Sequence, residues 1–343
     1  MALHHALRGR TAAARAAGIG TLTLAAAALA LPAPAAAFDL QGHRGARGLA
    51  PENTLAAFDA ALALGVHTLE LDTGITKDGV VVIAHDPKLN PHITRDAQGR
   101  WLEATGPAIA SLTLAELQAY DVGRLKPGTR YAQTYPLQQP KDGERIPTLA
   151  ALFERVAAAE ANGGARVRFN IETKLSPLEP EATAEPAAFA RALLDVVREY
   201  RMQTRVSIQS FDWRTLREVQ RLAPAVPTVC LSAQRDWLNN IADSRWTAGL
   251  ALAEHGGSLP KLVKAAGCAV WSPYFGDLAP ETLAEARQLG LKVVVWTVNQ
   301  PADIERMLGL GVDGIISDHP ERVRSAMAAR GMPLPPPLAV PAR

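Results

Sequence analysis

Residues 67–85 read HTLELDTGITKDGVVVIAH, and two features of this stretch decide the fold. In its first half Glu70 and Asp72 alternate with Leu69 and Leu71, the pattern of a strand, in which every second side chain points the same way. Its second half, Val80 to His85, follows after only Lys77-Asp78-Gly79, which is too short for a helical crossover. Asp-Gly is a hairpin turn, so the second run pairs antiparallel with the first. With Asp78 and Gly79 as the two turn residues, Lys77 faces Val80 and His85 falls opposite Asp72.

Outward from this hairpin, short apolar runs recur near 39–43, 67–74, 167–173, 205–210, 227–232, 268–273, 292–298 and 314–317, with helical patterns between them. Alternation of this kind builds a parallel sheet, and eight units close it into a barrel. The expected fold is therefore α/β, a TIM (β/α)8 barrel with a β-hairpin and a long insert after the second strand. Helix signals agree: Leu149, Leu152, Phe153 and Val156 lie at helical spacing, Asp212 is a cap, Gly65 and Gly290 are terminators, and Pro301 suits a first turn. Residues of about 87–147 are rich in Pro, Gly and polar side chains, with one short helical pattern from Leu112 to Tyr120. An excursion this long is expected to serve as a lid or binding element. The Pro-rich end, 333–343, reads as a frayed tail beyond a barrel domain of 38–332.

The composition, 48% hydrophobic and 20% charged, excludes a disordered or multi-span membrane chain. The formal charge of +2 comes from Arg8, Arg10 and Arg15, which precede Phe38 where no acid does; the remainder carries −1. That body has no basic stripe, so a nucleic-acid partner is not expected. Residues 1–37 read as a signal peptide: arginines, an uncharged stretch from Ala16 to Leu31, then Ala35-Ala36-Ala37 before Phe38. The apolar stretch is shorter than the ~20 residues that span a bilayer, so the expectation is cleavage, no stable membrane insertion, and a periplasmic or secreted product. Oxidising surroundings would let Cys230 and Cys268 pair, although both sit in strand-like runs where buried thiols are the simpler expectation.

Barrel enzymes build their sites at the C-terminal strand ends. There the first strand offers His43 and Arg44, the second Glu70 and Asp72, and the third Asn170, Glu172 and Lys174 on one face. Converging carboxylates repel one another unless a cation sits among them, and oxygen ligands without cysteine suit a hard divalent ion, Ca²⁺ or Mg²⁺. His43, and His85 brought in by the hairpin, can act as acid and base. Arg44 and Lys174 can hold a phosphoryl oxygen. Glu52 can orient Arg44, Asn53 can cap the helix that Thr54 begins, and Trp296, Ser210, Phe211 and Trp271 through Phe275 can wall the pocket.

In order, His43-Arg44-Gly45, Pro51-Glu52-Asn53-Thr54, Glu70-Leu71-Asp72, Lys77-Asp78-Gly79, His85-Asp86, Glu172-Thr173-Lys174 and Trp296-Thr297-Val298-Asn299 resemble the glycerophosphodiester phosphodiesterase family, from about Gln41 to Arg324. The resemblance implies hydrolysis of glycerophosphodiesters to sn-glycerol 3-phosphate and an alcohol. By position it makes Glu70, Asp72 and Glu172 the metal ligands, His43 and His85 the acid/base pair, and Arg44 with Lys174 the phosphate contacts. It also implies calcium, common in exported members, and attack by the glycerol 2-hydroxyl to give a cyclic phosphate that water opens. Two rival expectations are a related phospholipase, which would want an apolar rim from Trp101, Tyr120, Tyr131 and Tyr135, and a catalytically silent barrel.

Overall fold

The computed structural model describes residues 38–161 and 166–342. The expected signal peptide lies outside them. Among the described residues, no helix is long and apolar enough to cross a membrane.

The strands are β1 (Asp39–Gly42), β2 (Thr68–Ile75), β3 (Val81–Ile83), β4 (Arg168–Thr173), β5 (Val206–Ser210), β6 (Thr228–Ser232), β7 (Gln234–Arg235), β8 (Leu238–Asn239), β9 (Val270–Pro273), β10 (Lys292–Val295) and β11 (Gly314–Ser317). Eight of them pair in parallel in the order β1-β11-β10-β9-β6-β5-β4-β2, and Gln41 opposite Thr68 closes β2 onto β1. The sequence runs named above coincide with these eight. Around them lie α1 (Leu55–Leu64), α2 (Leu114–Leu117), α3 (Arg130–Thr134), α4 (Leu149–Glu160), α5 (Pro186–Glu199), α6 (Trp213–Leu222), α7 (Leu259–Ala265), α8 (Pro280–Gln288), α9 (Pro301–Leu310) and α10 (Pro320–Ala329). Leu149, Leu152, Phe153 and Val156 of α4 are all fully buried, and Phe153 meets Phe169 of β4 edge to face at 4.9 Å. Apolar residues at helical spacing thus bury one stripe of the helix on the sheet.

The barrel interior is not wholly aliphatic. Buried Asn170 donates to Gln41 at 3.0 Å and to Gln209 at 2.8 Å, and Gln209 in turn donates to Glu70 at 2.6 Å. These amides form a floor beneath the mouth, with Asn170 one layer below the residues that face the opening.

Three expectations are corrected. In the hairpin, Thr73 faces Ile83 and Ile75 faces Val81, so the loop has three residues, with Gly79 at φ +82°. Three-residue hairpins end on such a left-handed residue, and the register therefore moves by one. Asp72 consequently faces Ala84, whose N–H donates to its carbonyl at 3.0 Å. The end of the chain is docked rather than frayed: Leu338 is 4% exposed and its N–H donates to Leu62 at the end of α1. Finally, Cys230 and Cys268 form a disulfide with Cα atoms 5.9 Å apart. The strands that carry Cys230 and follow Cys268, β6 and β9, are neighbours, which brings the two thiols within bridging distance.

Candidate active site

The loop after β1 folds tightly. Arg44 and Asn53 both adopt positive φ, +50° and +56°, a conformation that costs a non-glycine residue energy and persists where surrounding contacts enforce it. Gly45 between them sits at φ +86°, where a Cβ would lie 2.5 Å from the Ala57 carbonyl carbon; only glycine fits. The Arg44 N–H donates to Glu70 Oε2 at 2.9 Å, and its guanidinium donates to Glu52 at 2.7 Å and pairs with Asp72 at 3.1 Å. Thr54, not Asn53, caps α1, accepting from the Ala57 N–H. Asn53 instead donates to Asp72 Oδ2 at 2.9 Å, so its side chain braces a carboxylate.

Glu70, Asp72 and Glu172 are buried, and each offers an oxygen within 4.8 Å of the others. Lys174 donates to Glu172 at 2.8 Å and lies 3.4 Å from Asp72. Burial would raise Asp72, but Lys174 and then Arg44 overcome it and hold the carboxyl well below its usual range. Burial lifts Glu172 to about 7 against the pull of Lys174. Glu70, which accepts from the Arg44 N–H and the Gln209 amide, is pushed well up by burial and by Asp72. Buried Asp72 Oδ1 makes no hydrogen bond. Three buried carboxylates converging in one cluster, with one oxygen of Asp72 left without a hydrogen bond, fit a hard divalent ion, which takes all-oxygen ligands.

His43 and His85 both line the cavity of about 400 Å³ above this cluster, together with Arg44, Lys174 and Trp296. His43 Nδ1 lies 2.5 Å from Asp318 and Nε2 3.9 Å from Glu70. Burial and then Arg47 lower His43 to about 4, so its imidazole is neutral at physiological pH. His85 reaches the mouth despite the shifted register because it lies past the end of β3; Asp86 holds its Nδ1 at 2.6 Å. Burial, then Arg44 and Lys174, lower His85 as well.

Several site residues escaped the sequence reading. Asp318 and Arg47 form a buried two-point pair, Nε to Oδ1 at 2.8 Å and Nη2 to Oδ2 at 3.1 Å, behind His43. Asn299 donates to the same Asp318 carboxylate at 2.7 Å. Asp318 follows β11 directly and Gln209 lies on β5, so the rule of strand ends that found Glu172 could have found both. Trp237 carries no such signal: it lies in the β7–β8 hairpin and reaches the cavity over Trp296, ring centroids 6.1 Å apart.

Among the described residues none from 87–147 lines the 400 Å³ cavity. Of the four aromatics named for a lipid-active rival, Tyr135 is 7% exposed beneath Arg47 and Tyr131 donates its hydroxyl to Glu52, while Trp101 and Tyr120 are half-buried. Of the expected walls, Phe211 and Trp296 line the cavity, whereas Trp271 is 1% exposed in the core.

The chain matches the Glycerophosphoryl diester phosphodiesterase family over residues 43–322. A glycerophosphodiester phosphodiesterase of Caldanaerobacter subterraneus subsp. tengcongensis is 31% identical over 281 residues, 81% of this chain and 93% of its own. A Silicibacter pomeroyi protein assigned to the glycerophosphoryl diester phosphodiesterases superposes with a TM-score of 0.77 at 39% identity, covering 87% of this chain and 95% of that one. An Oleispira antarctica phosphodiesterase, solved with the product sn-glycerol-3-phosphate, shares the fold with a TM-score of 0.61 at 24% identity, over 84% of this chain and 96% of that one. The family match starts at His43 and runs past Asp318, the two residues whose contact closes the site, and on these grounds the chain is an enzyme of the glycerophosphoryl diester phosphodiesterase family.

Proposed function

We propose that the enzyme hydrolyses glycerophosphodiesters to sn-glycerol 3-phosphate and an alcohol, with a divalent cation held by Glu70, Asp72 and Glu172 and with His43 and His85 as acid and base. The observation that carries this reading is one cavity faced by Glu70, Glu172 and both imidazoles. The bound cation would polarise a phosphoryl oxygen and lower the pKa of the glycerol hydroxyl. Arg44 and Lys174 hold the remaining phosphoryl oxygens and offset the charge that builds as the diester reacts. One imidazole takes the proton of the glycerol 2-hydroxyl as its oxygen bonds to phosphorus, the other protonates the alcohol as its P–O bond breaks, and water then opens the resulting cyclic phosphate to sn-glycerol 3-phosphate. Glu52 and Asn53 act from behind, the first on Arg44 and the second on Asp72. Trp296 walls the opposite side of the pocket.

Calcium is the favoured ion over magnesium, supported by a donor set of carboxylates alone, since magnesium keeps most of its water. Export to the periplasm or beyond is part of the same reading; the Cys230–Cys268 bridge supports it, because such bonds persist in oxidising compartments. The test uses residues 38–343 and measures glycerol 3-phosphate release with chelator, then with calcium or magnesium restored. Loss in chelator and return with the ion is expected. Undiminished release in chelator removes the cation from the reaction. Because Glu172 must shed its proton to bind metal, cation affinity should rise as pH climbs through about 7.

A further inference from the structure

Arg47 lines the catalytic cavity, yet the reaction described above gives it no part. It rises from the same turn as His43, its N–H donating to the His43 carbonyl at 3.3 Å, and both side chains reach one carboxylate. Asp318 Oδ1 is shared between His43 Nδ1 at 2.5 Å and Arg47 Nε at 2.8 Å, while Oδ2 accepts from Arg47 Nη2 at 3.1 Å and from the Asn299 amide at 2.7 Å. A two-point fork fixes the plane of a carboxylate as well as its place, which a single contact does not. The fork is itself seated. Its central carbon lies 4.8 Å from the Tyr135 ring centre, Nη1 donates to the Tyr131 hydroxyl at 3.4 Å, and Gln138 donates to the Arg47 carbonyl at 2.8 Å. With Nε, Nη1 and Nη2 each engaged by the protein, Arg47 is turned away from service as a third phosphate cation beside Arg44 and Lys174.

Asp318 is 1% exposed, and a buried carboxylate stays ionised where a cation is paired with it. Burial would raise it, but Arg47 and then His43 hold the carboxyl well below its usual range. An ionised carboxylate only accepts, so the hydrogen bond places the imidazole proton on Nδ1 and leaves Nε2, 3.9 Å from Glu70, toward the carboxylate cluster. Asp86, which holds His85, takes the Asn90 amide at 2.8 Å instead of a guanidinium fork. Resting on the hydrolysis reading above, we propose that Arg47 is a positioning residue for His43: by locking the Asp318 carboxylate it fixes the imidazole as the Nδ1–H tautomer, with Nε2 free for the diester.

The experiment compares the calcium-loaded wild type with Arg47→Gln and Arg47→Lys on glycerophosphocholine. Arg47→Gln should lower kcat by about 10–100-fold, the range for losing a partner that orients an active group, with KM and inhibition by sn-glycerol 3-phosphate within about threefold of wild type. Arg47→Lys keeps the charge but not the fork and should fall between the two. In heteronuclear NMR of the imidazoles at neutral pH, wild-type His43 should carry its proton on Nδ1 alone, Arg47→Gln should show a mixture of tautomers, and His85 should be unmoved; a purely structural arginine would leave the His43 ring as it is. In an Asp318→Asn background Arg47→Gln should cost little further, because the two act as one unit. Should Arg47→Gln not fold, Arg47→Lys carries the same kinetic and spectral readings. A KM and a product inhibition constant that rise in step with the loss of turnover make Arg47 a phosphate contact and overturn the inference. An unshifted His43 ring, or full additivity with Asp318→Asn, overturns it equally, and the hydrolysis reading survives each of these results. If wild type releases glycerol 3-phosphate from no diester, both readings fall together.

Discussion

The insert of 87–147 and the segment between β6 and β9 make an unequal pair. The first spans about sixty residues, and none of its described residues lines the catalytic cavity; the second, with a hairpin of two 2-residue strands at its start, sends Trp237 and Leu238 into the wall. The difference lies in where each is rooted. The insert grows from β3, which hangs on β2 outside the closed ring, and gathers around its own cluster of Val82, Leu89, Ile109, Leu117, Val122 and Ile146. The other segment leaves and re-enters the ring on adjacent strands and is closed covalently by Cys230 and Cys268. The insert instead acts indirectly, through the Tyr131 hydroxyl on Glu52 and thence on Arg44.

The largest effect should come from the residues that both regions serve. His43→Ala is expected to lower kcat by about 10²–10⁴-fold with the fold intact by circular dichroism, the range for losing a positioned acid or base. Activity within a few-fold of wild type would mean that neither region surrounds the working centre. Opening the covalent loop comes next. Cys230→Ser with Cys268→Ser should cost about 4 kcal/mol in denaturant unfolding, from the 38-residue separation of the pair. A negligible change in unfolding midpoint would show that packing alone holds the hairpin segment.

The two reaching tyrosine and tryptophan side chains then separate direct from indirect action. Tyr131→Phe should raise KM by about tenfold at unchanged thermal midpoint, the scale of one hydrogen bond to a charged group. In an Arg44→Lys background the same change should have little further effect, because coupled residues are not additive. Full additivity would cut the proposed link through Glu52. Trp237, 60% exposed, should matter less: Trp237→Ala is expected to shift KM by about threefold, as removal of part of a pocket wall. Smallest of all, Arg124→Ala breaks an exposed ion pair with Asp142 in the insert and should leave both kinetics and melting unchanged. A clear loss of activity there would make the insert more than a brace for Arg44.

Repeating patterns were readable because each strand advertises itself: Leu69 and Leu71 alternate with Glu70 and Asp72, and that alternation alone puts the acids on one face. The hairpin was readable in kind but not in register, since Asp78-Gly79 fits both a two-residue loop and the last two positions of the three-residue loop observed. Asp318 is a different failure. It stands at a strand end, where the rule that found Glu172 applies, but its contact with His43 spans 275 positions of sequence, so its partner leaves no local trace. The cysteine bridge and the docked tail are of the same sort, since both depend on which elements end up adjacent. The length of the insert says how far it can reach, not where it is anchored, so its rooting on β3 was not legible.

The amides of Gln41, Asn170 and Gln209 tie three strands, through contacts that span up to 139 positions in the chain, to the orientation of Glu70. The orientation of Glu70 is therefore an outcome of ring closure. Onset of hydrolysis during refolding would time the moment at which the last staves of the barrel lock together.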